Sequence, residues 1–425
     1  MNNKTSKVET AKFLDLKICS KIEVYDYLAD FYKKPRFLRL PNAKFLEKVC
    51  LFFFRYLRKI ILFCSLIFRL KLSFSSPGKF KNIIFDDENL NVTKILFLRK
   101  NYFVLKTRIE KIDKIFISKK IIGYVVKNFF KRSIKENYLS SLIMEIEPVN
   151  VVTLIENSVD FFIQAKIFKN SRIKFIVAQN AVTFDTSVEV KKKRFFSEYY
   201  AFSNYEKKIF NNKSVNKKII PFGSIRALAA KQYLTKKPSL KKSYDICLIS
   251  EPCFEPFLED LIEDKIDQKV SLVAKYSLRF AKKYKKKIIV CGKHDIKSYE
   301  KYIEEKYYKH NLNLKKFKIT FNDKLKFGSY RNILQSDIVI GSTSSLLREA
   351  FAFKKKVLWC NYMSASLFPF SHPIRLQKKD YLSFEKALLK LLKMKTSTYF
   401  NCIRQKEFIY YYKEDTFNKL KKQLS

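Results

Sequence analysis

The stretch DIVIGSTSSLLREAFAFKKKVLWCN, Asp337–Asn361, decides the architecture. Ile338, Val339 and Ile340 run without a break into Gly341, four hydroxyl residues follow, and Leu346, Leu347, Ala350 and Phe351 then recur at helical spacing. KVLWCNY (Lys356–Tyr362) is again continuously apolar. Strand, helix and strand within so short a span, with strands that do not alternate polar and apolar, describe a parallel sheet covered on both faces.

The same alternation extends outward in both directions. Upstream lie YDICLIS (Tyr244–Ser250), a long helix over Phe257–Lys285, KIIVCGKH (Lys287–His294), a helix over Lys297–Lys309 and FKITF (Phe317–Phe321). Short helices are expected over Tyr330–Gln335, Ser345–Phe353 and Phe384–Met394. Before the charged linker TKKPSLKKS (Thr235–Ser243) a first set precedes this one. Its expected strands are NIIFDD (Asn82–Asp87), KILFLR (Lys94–Arg99), KIFIS (Lys114–Ser118), NVVTLIEN (Asn150–Asn157), KFIVAQNA (Lys174–Ala181), YYAFSN (Tyr199–Asn204) and KKIIPFGS (Lys217–Ser224). Helices are expected across Ile121–Leu142, Val159–Phe168 and from Arg226. The expected fold is α/β, with two Rossmann-like domains facing across a cleft and a basic amphipathic helical segment before them. The expected boundaries are 1–74 for that extension, 75–236 and 237–395 for the two domains, and 396–425 for a helical tail.

At 425 residues, with 47% hydrophobic and 30% charged residues, the chain is long enough for two cores and is not disordered. The 87 Lys+Arg against 40 Asp+Glu give a net charge of +47, which draws anionic partners in general. Only 16 of the basic residues are Arg, the side chain suited to bidentate base and phosphate contacts, so specific nucleic-acid readout is not expected. Abundant Lys, Ile, Phe, Asn and Tyr together match the coding bias of an AT-rich genome. The eight Cys form no CxxC pair and the three His have no zinc spacing, so neither a metal nor a disulfide framework is expected. No GxGxxG and no Walker lysine loop occur.

The N-terminus lacks an apolar leader core, so a cytoplasmic chain is expected. VCLFFFRYLRKIILFCSLIFRLKLSF (Val49–Phe74) has only Ile60–Phe68 free of charge, too short to span a bilayer. Two readings fit it equally: a helix lying in the membrane interface at the inner face of the cytoplasmic membrane, or a helix packed on the following domain with its Arg stems reaching out.

In open parallel sheets ligands bind beyond the carboxyl ends of the strands. Gly341 allows close backbone approach, and Ser342, Thr343, Ser344 and Ser345 open a helix whose free amides and dipole favour a phosphate. Glu349 lies one turn on, placed for a ribose or sugar hydroxyl. The plain alternative is a capped helix with Glu349 in a surface ion pair; a single cap needs one hydroxyl, not four. By the same logic Lys293 and Arg226, with Ser224, are candidate phosphate contacts. His294 is a candidate proton carrier or leaving-group stabiliser, against a solvent-facing loop as the bland reading. Ser250 and Glu251, with Asn157, Gln179 and Asn180, would line the cleft. Glu156, ending VVTLIEN, is the candidate general base, or else a capping acid. His372 and Trp359 read as loop and core.

IGSTSSLLREAFAFKKKVLWCNY resembles the C-terminal nucleotide-binding block of GT-B-fold glycosyltransferases, and more closely the surface-carbohydrate and lipopolysaccharide biosynthesis proteins of bacteria. Such relatives carry a Ser/Thr-rich strand end, a helix with an acidic residue and a Gly-Lys-Lys-Val turn; here Phe353-Lys354 replaces the glycine turn. VVTLIEN, FIVAQNA, FSEYYAFSNYEKKIF, IIPFGSIRA and YDICLISEP are similar to their earlier blocks in the same order, although Gln179-Asn180-Ala181 stands where Gln-Asn-Gly is commoner. The resemblance covers roughly 82–395. It implies a GT-B fold, a nucleotide-sugar donor as substrate rather than a cofactor, no obligate metal, and a glycan or lipid-linked acceptor. A CDP-polyol phosphotransferase or a sugar epimerase of the same fold is the alternative within it. A basic, non-catalytic protein binding membrane or nucleic acid is the alternative outside it.

Overall fold

The computed structural model describes residues 70–97, 101–108, 111–156, 158–180, 195–210, 218–235, 240–251, 266–296, 301, 304, 305, 308, 318–323, 327–342, 344–360, 362, 375–403 and 414–425. The readings made on Val49–Phe74 up to residue 69, on Asn157, on Thr343 and on His372 lie outside the described residues. The chain divides into two compact units. One comprises Met1–Leu72, Arg108–Ile115 and Cys253–Lys265; the other, which holds both sheets described below, comprises Ser73–Thr107, Phe116–Pro252 and Ile266–Ser425.

The first sheet has six parallel strands: β1 (Asn82–Phe85), β2 (Tyr102–Leu105), β3 (Asn150–Thr153), β4 (Lys174–Ala178), β5 (Glu198–Ala201) and β6 (Lys218–Pro221), in the order β2-β1-β3-β4-β5-β6. Register pairs Ile83 with Val151, Val151 with Phe175 and Val177 with Tyr199. Because alternate side chains face opposite ways, Ile83, Phe85, Val151, Phe175 and Val177 pack one core, with Phe161 and Leu142. Ile84, Val152, Ile176, Ala178 and Tyr200 pack the other. Both faces are buried, which is why these strands read as unbroken apolar runs.

The helices on this domain are α1 (Lys119–Lys127), α2 (Ile134–Ile146), α3 (Val159–Ile167), α4 (Asn204–Phe210) and α5 (Ile225–Thr235). The single helix expected over Ile121–Leu142 is two, because Ser133 starts α2 with a reciprocal capping box to Glu136. KILFLR is not a strand at its start. Lys94–Leu96 form a 3₁₀ turn following the helical turn Leu90–Thr93, and Leu96 and Phe97 fill the second core; the strand comes later, at Tyr102. An apolar run of that length does not by itself separate strand from buried helix.

The second sheet is also parallel: β7 (Tyr244–Ile249), β8 (Ile288–Asp295), β9 (Lys318–Asn322), β10 (Ser336–Gly341), β11 (Lys356–Cys360) and β12 (Arg375–Leu376), in the order β9-β8-β7-β10-β11-β12. That is the doubly wound Rossmann order, with its reversal between β7 and β10. Helices α6 (Ile266–Lys283), α7 (Gly328–Leu334), α8 (Ser345–Ala352), α9 (Tyr381–Lys393) and α10 (Thr396–Asn401) accompany it. Lys354 holds φ 55°, the left-handed conformation that glycine adopts without cost, in the turn where the resembled proteins carry glycine. Of the three lysines there, Lys355 caps the carbonyls of Leu334 and Ser336, and Lys356 those of Leu391 and Met394.

The tail does not stay with the second domain. Helix α11 (Glu414–Leu424) lays Phe417, Leu420 and Leu424 into the core of the first. The buried Asn82 side chain seals the junction, donating to the Leu424 carbonyl at 2.7 Å and accepting from Asn150 at 2.9 Å.

Candidate active site

Strands β7, β8 and β10 deliver Ser250-Glu251, Lys293-His294 and Ser342 to one end of the second sheet. Between Cys291 and Asp295 the pairing of β8 with β9 slips register. Within that slip the Lys293 and His294 amides both donate to one carboxylate, Glu304, at 3.0–3.2 Å. Glu304 also accepts from the Ser250 hydroxyl and from His294 Nδ1 at 2.9 Å. Tyr308 in turn donates to Ser250 Oγ at 2.9 Å. Burial alone would push a carboxyl up; the bonds from His294, Ser250 and the Lys293 amide outweigh it and hold Glu304 below its ordinary value. With an ionised carboxylate at Nδ1, the imidazole proton sits there and Nε2 is the basic nitrogen.

At the start of α8, where a phosphate is expected, two backbone amides meet a glutamate side chain. Glu251 Oε1 accepts from the Ser342 amide at 3.1 Å and the Ser344 amide at 3.0 Å. A Cβ on Gly341 would stand 2.9 Å from that oxygen, so the glycine is what lets the carboxylate in. Ser344 Oγ caps the Leu346 amide, and the Trp359 indole, fully buried, donates to the Ser342 carbonyl.

Helix α8 then joins the two domains. Glu349 accepts from Ser224 Oγ of the first domain at 2.5 Å and from Tyr330 at 2.9 Å, and Ser224 also caps α5 through the Ala227 amide. Burial, opposed by Ser224, Arg226 and Tyr330, raises the Glu349 carboxyl above its ordinary value. Its neighbour Arg348 points a guanidinium at Glu206 of α4 through both terminal nitrogens, with a further bond to Ser203 Oγ at 3.0 Å. Arg226 donates to the Asn89 side chain.

At the end of the first sheet Glu156 accepts from the Asn180 amide at 2.6 Å and from Tyr199 at 2.8 Å. Gln179 Oε1 accepts from the Phe202 amide at 2.7 Å, tying β4 to β5. Among the described residues no group of three or more His, Cys, Asp or Glu could hold a metal ion, and no helix is long and apolar enough to cross a membrane.

No family model and no curated protein matches the sequence. Solved structures do. A UDP-N-acetylglucosamine 2-epimerase from Rickettsia bellii is 9% identical, with 81% of this chain and 95% of that one covered at a TM-score of 0.50. The fold is GT-B. Similar at lower scores are the Neisseria meningitidis UDP-GlcNAc 2-epimerase bound to UDP-GlcNAc (9% identical, 82% and 98% covered, 0.48) and the wall teichoic acid polymerase TagF (10% identical, 81% and 88% covered, 0.47). At such identities the likeness concerns the GT-B architecture alone.

Within this GT-B frame the structure brings Ser250, Lys293 and His294 together around Glu304, and Ser224 and Glu349 together across the domains. Glu349, expected to meet a ribose or sugar hydroxyl, accepts from Ser224 and Tyr330, and the amides of Ser342 and Ser344 donate to Glu251. Lys293 is exposed, while Gln179 is buried and bonded within its own sheet. Sequence reasoning missed Glu304, Arg348, Glu206 and Tyr330. Glu304 sits in KYIEEKYYKH, whose charges resemble any solvated helix. Arg348 did carry a signal: a scarce Arg beside an acid within the apolar helix LLREAF.

Proposed function

We propose that the chain is a GT-B-type glycosyltransferase moving a sugar from a nucleotide-activated donor to a glycan or lipid-linked acceptor in bacterial surface-carbohydrate synthesis. It would work on the cytoplasmic side and need no metal. The observation carrying this reading is His294, held on the fully buried Glu304 at the C-terminal end of β8, where open sheets receive ligands. In its protonated form the imidazole, with Lys293, neutralises charge on the departing nucleotide; deprotonated, Nε2 accepts a proton. Glu156 is the carboxylate on the first domain that takes the acceptor hydroxyl's proton. The helix-start amides serve the donor phosphate only by exchanging Glu251 for it, since the same two N–H groups cannot hold both.

Thermal-shift measurements with UDP, GDP, CDP and CMP test the reading, because a ligand bound only by the folded state raises Tm. Stabilisation by one nucleotide supports it, and a larger shift in Glu251→Ala supports the exchange. No shift with any of the four removes it. Product analysis then separates the reactions: sugar transfer releases a nucleoside diphosphate, polyol-phosphate transfer releases CMP, and epimerisation proceeds without acceptor.

A further inference from the structure

We infer that α1 and the turn behind it, residues 119–135, dock the protein on an anionic lipid bilayer. Helix α1 buries only Ile121. Ile122 and Val126, one turn apart on the same face, are 49% and 68% exposed, and Phe130 on the turn is 98% exposed. Phe129 and Ile134 are exposed beside them, and the Phe129 and Phe130 rings meet edge to face at 5.3 Å. Other exposed apolar residues, such as Met144, Ile296 and Leu382, are spread along the chain; these five fall within 13 residues, Ile122 to Ile134. A clustered apolar patch of this kind marks an interaction surface.

The charge around it selects the partner. Residues 119–135 contain Lys119, Lys120, Lys127, Lys131, Arg132 and Lys135 and no acid. Lys135 is paired with Asp160, and Arg132 donates to the Tyr124 hydroxyl; Lys119, Lys120, Lys127 and Lys131 are exposed. A second copy of the chain would set the same positive rim against this one, which repels. Anionic headgroups fit both features: the rings and aliphatic tips enter the acyl boundary while lysine stems reach the phosphates. The inference rests on residues 119–135 alone and does not depend on which reaction the protein performs.

The test uses the full chain without nucleotide. Its single Trp, Trp359, is fully buried, so F130W adds a local reporter. With vesicles of equimolar phosphatidylglycerol and brominated phosphatidylcholine, the F130W indole should be quenched and blue-shifted, and added salt should reverse this. Co-sedimentation of the F129S/F130S variant should fall by roughly ten-fold or more, since it removes both rings of the inserting apolar patch. L382S, exposed on α9, should bind as wild type does. An F130W indole left unquenched while the protein sediments puts the contact elsewhere and overturns the inference. Wild-type binding by F129S/F130S, or no vesicle binding at all, does the same. So does sedimentation velocity showing that F129S/F130S turns a dimer into a monomer, which would make the patch a self-interface.

Discussion

Glu304 and Glu349 belong to the same domain, are 0% and 1% exposed, and titrate in opposite directions. Around Glu304 the chain gathers two backbone amides, a serine hydroxyl and an imidazole N–H. Glu349 receives two hydroxyls, and the Arg226 guanidinium that opposes its burial donates to Asn89, while the adjacent Arg348 is turned to Glu206. Burial penalises the ionised form at both places; the number and polarity of donors decide whether that penalty is overcome. The first arrangement keeps a negative charge in place to orient a histidine. The second makes the ionised form harder to hold and stitches two domains together.

The comparison breaks or sharpens under substitution, and the largest effect should be on rate. Once a donor and acceptor are identified, His294→Ala should lower kcat by about 10²–10⁴-fold, the range for a positioned acid or base. Glu304→Gln should lower it less, because His294 loses the carboxylate that orients its ring. An unchanged kcat would reduce Glu304 to packing.

Next comes Arg348→Ala, which strands Glu206 in the interior and should cost about 3–5 kcal/mol of stability in urea unfolding. Replacing both partners, Arg348→Met with Glu206→Leu, should recover most of that loss. If the single and double variants unfold alike, the bridge is not what orders the interface.

The pH dependence of stability separates the two glutamates most directly. Glu304, with its folded value lowered, contributes stability that is present above its ordinary value of 4.5 and is lost as the pH falls through the lowered one. Glu349, with its folded value raised, contributes stability that is full below 4.5 and is lost as pH rises through the raised value. Relative to wild type, Glu349→Gln should therefore gain Tm toward alkaline pH, whereas Glu304→Gln should be most damaging there and converge with wild type in acid. Parallel Tm–pH curves would abolish the distinction.

The smallest effect is a control that touches neither carboxylate. Lys354→Gly relieves a left-handed lysine and should raise stability by about 0.5–1 kcal/mol without altering either pH slope.

Much of this was legible in advance. The unbroken runs NVVT, KFIVA, YDICLI and DIVIG all lie in parallel strands, because a strand buried on both faces has no polar side to show. Strand-end logic singled out Ser224, Ser250 and His294, and the structure places each at or just after the end of a parallel strand. It did not reveal who partners whom. Ser224 and Glu349 are 125 positions apart, and each read as a ligand contact on its own. KILFLR misled because a short apolar run suits a buried helical turn as well as a strand.

Sequence alone determined the layers and their parallel pairing, because hydrophobic period and chain direction are local properties. Only the tertiary structure decided that Glu304 meets His294, that Glu251 fills the amides after Gly341, and that α11 crosses back to the first sheet. Those outcomes rest on burial and on donors brought from distant segments, and neither the desolvation nor the partner is encoded near the residue it governs.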